Sequence, residues 1–179
     1  MKSALLIIDV QQALCFGADA AFDIDQVIVR INAVAARARA AGVPVILIQH
    51  EDGSGPLEFR AAGWQLDARL AVGPTDVRLR KTATDSFHRT ELQALLQARG
   101  VERLAVCGLQ SDFCIDSTVR GALAHGYPVT LVADAHSTTD NRVLSAAQIS
   151  AHHNATLVNV SSFGPRVTLA TAAELRFDA

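Results

Sequence analysis

Leu104-Ala105-Val106-Cys107-Gly108-Leu109-Gln110-Ser111-Asp112-Phe113-Cys114-Ile115 sets an apolar run, a glycine-led turn and a cysteine directly before a helix-patterned stretch. The run reads as a buried strand, and Cys114 then stands at a helix N-terminus just past that strand's carboxyl end. The positive end of a helix dipole favours a thiolate over an ordinary thiol, whose pKa is about 8.5. Two more residues hold matching positions. Asp9 closes Ala4-Leu5-Leu6-Ile7-Ile8, and Lys81 follows Val77-Arg78-Leu79-Arg80. In open α/β sheets ligands sit beyond the carboxyl ends of the strands, so an acid, a lysine and a thiol converge on one site.

Outward from these points, helix and strand signals alternate. Val27, Ile28, Ile31, Val34, Ala35 and Ala38 recur at helical spacing, with Asp23 and Gln26 as a capping pair and Gly42 and Pro44 as the stop. Pro44 to Ile48 is a strand, and residues 51–73 form a long connection rich in glycine and proline. A helix over Leu92, Leu95 and Leu96 ends at Gly100; Ile115–Ala124 is a helix and Val129–Ala133 a strand. The pattern then predicts a helix over 141–152, a last strand over Thr156–Val160 and a closing helix over Val167–Leu175. Such alternation implies a mostly parallel sheet with helices on both faces, in one domain spanning 1–179.

Composition narrows the function classes. Half of the 179 residues are hydrophobic, 19% are charged and the net charge is −2, which gives no electrostatic reason to expect nucleic acid or an anionic membrane as partner. The first apolar run is too short for a signal sequence, and no stretch approaches the roughly 18 apolar residues that span a bilayer. Three cysteines without framework spacing suit a reducing, cytoplasmic setting. A small-molecule substrate is the partner these features leave.

Asp9 in Leu6-Ile7-Ile8-Asp9-Val10-Gln11, Lys81 ahead of Ser86-Phe87, and Gly108 to Thr118 followed by Arg120 and Ala122 together resemble the isochorismatase-like cysteine hydrolases, from the first strand to about Val160. The resemblance implies a three-layer αβα fold whose six-stranded parallel sheet runs in the order 3-2-1-4-5-6. It implies a catalytic set of Asp9, Lys81 and Cys114. It also implies a cis Leu109–Gln110 peptide that aims the Gln110 N–H, with that of Cys114, into an oxyanion hole. By the same analogy the protein is a dimer or larger homo-oligomer.

Two departures from better-known branches matter. Nicotinamidases bind zinc through Asp-x-His plus a second histidine, whereas His50-Glu51-Asp52 reverses the order and residues 53–72 hold no histidine. With two ligands at most, neither a metal nor another cofactor is expected. Isochorismatases proper cleave a vinyl ether, and several lack the cysteine; its presence as Cys114 favours acyl transfer at a C–N bond. The reading is therefore hydrolysis of a small amide, lactam or imide through a thioester on Cys114. The alternatives are vinyl-ether cleavage and a non-catalytic ligand-binding member of the fold. Phe16, Trp64, Phe87 and Phe113 are candidate pocket walls, with core packing as the equal alternative. Asp134 to Asn141 follows a strand at the catalytic edge and is a candidate pocket lining. His152-His153-Asn154 is expected at the opposite edge, as a helix end, surface or subunit contact.

Overall fold

A computed structural model of the protein describes residues 1–177; the last two residues of the single-domain reading lie outside the described residues. Six strands, β1 (Ser3–Ile8), β2 (Val45–His50), β3 (Val77–Lys81), β4 (Arg103–Leu109), β5 (Val129–Ser137) and β6 (Val167–Ala170), form one sheet ordered β3-β2-β1-β4-β5-β6. Every pairing is parallel. β1 and β4 are adjacent although sequence-distant, so the strand order reverses between them, where a doubly wound sheet opens its ligand crevice.

The alternating side chains of β1 explain the two cores. Leu5 and Ile7 pack with α2 (Ile24–Ala40), whose Val27, Ile31, Val34 and Ala38 present one buried face. Ala4, Leu6 and Ile8 pack on the other side with α3 (Leu92–Ala98), α4 (Asp116–Ala124) and Leu157 of α5 (Ala146–Leu157). A short helix α1 (Gln12–Cys15) follows β1. Both faces are therefore covered, as the continuous apolar strands require.

The end of the chain differs from the sequence expectation. Residues 156 and 157 close α5 rather than opening a strand, and the sixth strand is Val167–Ala170, where a helix was expected. The helix is set by a capping box in which Ser145 and Gln148 satisfy each other's backbone N–H groups, so it starts at Ala146 and runs through Leu157. β6 exposes Thr168 and Leu169; its pairing with β5, not an apolar pattern, makes it a strand. Asp23 makes no cap hydrogen bond; it stands in the left-handed region and pairs with Arg30. β5 also runs on to Ser137, past Ala133.

Gly108 decides how β1 and β4 meet. Its φ is +117°, and a Cβ there would lie 2.1 Å from the Ile8 carbonyl oxygen. Only a residue without a side chain allows that approach beside Asp9. Gly108→Ala should lower stability by about 3 kcal/mol or more, read from denaturant unfolding, because backbone atoms have to move. A near wild-type midpoint would show that the strands can separate without loss.

Candidate active site

Asp9 follows β1 with φ of 53°, a left-handed conformation that aspartate tolerates better than most residues. Its N–H donates to the Ile48 carbonyl, which fixes the turn against β2. Lys81 is the last residue of β3, paired in register with His50. Cys114 lies in a π-helical turn, Ser111–Ile115, that leads into α4. The peptide Leu109–Gln110 at the head of that turn is cis.

The structure brings these three side chains together. The Lys81 Nζ donates to Asp9 Oδ2 at 2.8 Å and to Cys114 Sγ at 3.0 Å. The ammonium also donates to the Ala83 carbonyl at 3.1 Å and lies 3.3 Å from His50 Nδ1. All three side chains are buried, and among the described residues Asp9 Oδ1 has no hydrogen-bond partner. A buried carboxylate oxygen left open in this way can accept a proton.

Electrostatics correct one sequence expectation. Burial, followed by the charge of Asp9, pushes the Cys114 thiol up to about 12, although Lys81 acts the other way. Burial therefore works against the thiolate that a helix N-terminus would favour. Burial works against the Lys81 charge as well, but the Asp9 carboxylate and the hydrogen bonds outweigh it and raise its pKa above the ordinary lysine value. Cys15 is pushed up to about 12, chiefly by burial, and Cys107 is pushed up by burial alone.

The surrounding residues hold this geometry. Ser86 and Thr118 bond side chain to side chain at 2.8 Å, tying the loop after Lys81 to α4. Thr138 donates to Asp112 at 2.6 Å and tethers the cysteine turn to the end of β5. Within the stretch Asp134 to Asn141, Asp134 instead caps the Ala172 N–H and pairs with Arg30, and Asp140 accepts from the Ala146 N–H. Ser111 bonds His136 Nδ1 at 2.8 Å, and His136 Nε2 meets Asn154 Oδ1 at 2.9 Å. His152 is at the surface as expected, whereas half-buried Asn154 donates its amide to the Ala133 carbonyl and is not at the opposite edge. Both of its partners, His136 and Ala133, lie on β5, a set that the misplaced last strand hid.

The expected pocket walls divide. Trp64 is buried beside a groove of about 540 Å³ that Gln49, Glu51, Arg80 and Lys81 also line. Phe87 is core, 6.2 Å from the Tyr127 ring. Phe16 and Phe113 are exposed, Phe16 lying under the Arg69 guanidinium at 4.6 Å. A larger cavity of about 610 Å³ lies among Lys2, Val43, Val45 and Val101, at the amino-terminal ends of the strands and away from the thiol. Gln11 was missed as a functional residue: buried, it accepts from the His50 N–H and donates to the His50 carbonyl. Its position two residues after Asp9 was the available signal.

Asp9, His50 and Cys114 each offer one ligand atom, all within 4.8 Å of one another. The pairing considered from sequence, His50 with Asp52, is a hydrogen bond of 3.1 Å instead. Lys81 Nζ bonds an atom of each of the three. The Lys81 ammonium thus lies among these three donors, where its charge would compete with a metal ion.

Two outcomes follow from these electrostatics. Alkylation of Cys114 by iodoacetamide should climb about tenfold per pH unit well above neutrality, without a plateau near pH 7, since the thiolate is the nucleophile. Asp9→Asn should speed labelling and Lys81→Ala should slow it; a plateau near neutrality or reversed signs would contradict the assignment. His136, lowered by burial and thus neutral, binds fewer protons folded than unfolded. Its contribution is present above the unfolded value of about 6.5 and is lost as pH falls below that toward the folded value. The melting temperature should therefore drop as pH falls below about 6.5 in wild type and drop less in His136→Gln; parallel curves would remove His136 from this role.

Residues 3–170 match the Isochorismatase domain family. A streptothricin hydrolase of Streptomyces noursei is 42% identical over 76% of this chain and 50% of its own length, so the chain spans about half of that relative. A ureidoacrylate amidohydrolase of Pseudomonas savastanoi pv. phaseolicola is 29% identical over 75% of this chain and 70% of its own. A crystal structure of an isochorismatase family protein superposes with a TM-score of 0.86 at 34% identity, covering 94% of this chain and 98% of that one. Together with the sheet order and the site at its switch point, these matches show that the chain belongs to the isochorismatase family of hydrolases.

Proposed function

We propose that the protein is a cysteine hydrolase that cleaves the C–N bond of a small amide, lactam or imide. The observation that carries this reading is the buried ammonium of Lys81, bonded at once to the Asp9 carboxylate and the Cys114 sulfur. Amide-cleaving relatives support it, since a ureidoacrylate amidohydrolase is among the similar proteins.

In this reading Asp9 takes the thiol proton as Sγ attacks the carbonyl carbon. Lys81 offsets the charge that moves from carboxylate to sulfur and then to oxygen. The Gln110 and Cys114 amides hold the developing oxyanion, each worth roughly 10²–10³ in rate. Asp9 returns its proton to the leaving nitrogen as the C–N bond breaks, which leaves a thioester on Cys114. Water then attacks the thioester, Asp9 takes one water proton, and that proton restores the thiol. The sum is amide plus water giving acid plus amine, with no step through a metal.

A panel of small amides, lactams and imides, with streptothricin and ureidoacrylate included, tests the proposal. Cys114→Ala and Asp9→Asn should each cost at least about 10³-fold in turnover, and a slow substrate should leave an acyl adduct on Cys114 by mass spectrometry. Chelation should leave the rate unchanged. An active Cys114→Ala with an inactive Asp9→Asn would point to vinyl-ether cleavage, where protonation rather than attack is the hard step. Activity lost on chelation and restored by zinc would overturn the metal-free mechanism.

A further inference from the structure

We propose that His50 is a positioning residue for Lys81, holding the ammonium in place while its counter-ion changes from Asp9 to Cys114. The catalytic consequence rests on the cysteine-hydrolase reading above. An ammonium has three hydrogens and accepts nothing, yet Nζ lies within bonding distance of Asp9 Oδ2, Cys114 Sγ, Ala83 O and His50 Nδ1. Its three hydrogens are shared among these four acceptors, and facing a group that only donates, Nδ1 presents its lone pair to Lys81. The ring proton is then on Nε2, which donates to Asp52 Oδ1 at 3.1 Å.

The residue is held at its backbone and at its ring. Gln11 accepts from the His50 N–H at 2.8 Å and donates to its carbonyl at 2.9 Å, while Asp52 fixes the far nitrogen. His50 and Lys81 are also register partners on β2 and β3, so the imidazole stands beside the path the lysine stem takes toward β1. This support matters during the reaction. When the proton leaves Sγ for Asp9, the carboxylate loses its charge and the sulfur gains one. A carboxylate alone would no longer hold Nζ at that moment, whereas a neutral imidazole offers the same lone pair before and after. The ammonium stays beside the sulfur when its charge is needed most.

The test compares His50→Ala, His50→Asn and His50→Gln in two readouts: turnover of the best small amide, and Cys114 labelling by iodoacetamide. In asparagine the side-chain oxygen reaches the Nδ1 position and can accept from Lys81; in glutamine the amide reaches the Nε2 position and cannot. His50→Ala should lower kcat by roughly 10–100-fold with KM within about twofold, the effect of a reacting group misplaced by about 1 Å. It should also slow labelling in the direction of Lys81→Ala. His50→Asn should recover most of both, and His50→Gln should not. Should the alanine variant fail to fold, the Asn and Gln pair decides alone. Wild-type kcat in His50→Ala, or equal defects in Asn and Gln, would overturn the proposal. If the wild-type protein hydrolyses no amide, the hydrolase reading fails, and the labelling rates still decide the role of His50.

Discussion

The contact between Lys81 Nζ and Asp9 Oδ2 is the constraint on which the rest of the site depends. Both side chains are shut off from solvent, and unpaired charges there would cost several kcal/mol each. Neither is tolerable without the other, so the ends of β1 and β3 are energetically bound together. Those strands are not neighbours, since β2 lies between them. Lysine suits this span because parallel strands lie about 4.8 Å apart and its four-carbon stem crosses most of two spacings. The thiol arrives from the opposite direction, on the turn after β4, and completes a cluster drawn from three strand ends.

That cluster is close to neutral at rest. A carboxylate and an ammonium cancel, and burial pushes the thiol up, against ionisation. Under the proposed mechanism the nucleophile is not stored as a thiolate; it is made when a substrate carbonyl is present to receive it. Transferring the proton to the carboxylate moves charge over a short distance next to a fixed cation, which demands little reorganisation of the surroundings. The polar shell around it serves the same end. Gln11 pins the backbone of His50, Thr138 holds Asp112, and Ser111 is locked through His136 to Asn154.

The final third of the chain shows where pattern and packing part. Thr156-Leu157-Val158-Asn159-Val160 has strand-like composition, yet its first two residues finish a helix whose start is set ten residues earlier by Ser145 and Gln148. A cap acts on the whole helix, whereas a five-residue apolar run carries only local preference. Asn154 followed the same fate. Read as the approach to a strand it belonged at the far edge, but on α5 it reaches β5 and the buried His136.

The sequence by itself determined the alternation of strands and helices through β5, the two-sided burial of β1, β2 and β4, and the three residues at strand ends, because these depend on periodicity and on turn chemistry close along the chain. Tertiary structure alone decided the burial of Cys114, the contacts of Gln11 and His50, and the identity of the sixth strand. Burial depends on what packs above a residue, and hydrogen-bond partners such as Gln11 with His50, 39 residues apart, are chosen by strand order. β6 is a strand because β5 offers it an open edge at Val129 to Val132, a fact that no window of residues 167–170 contains.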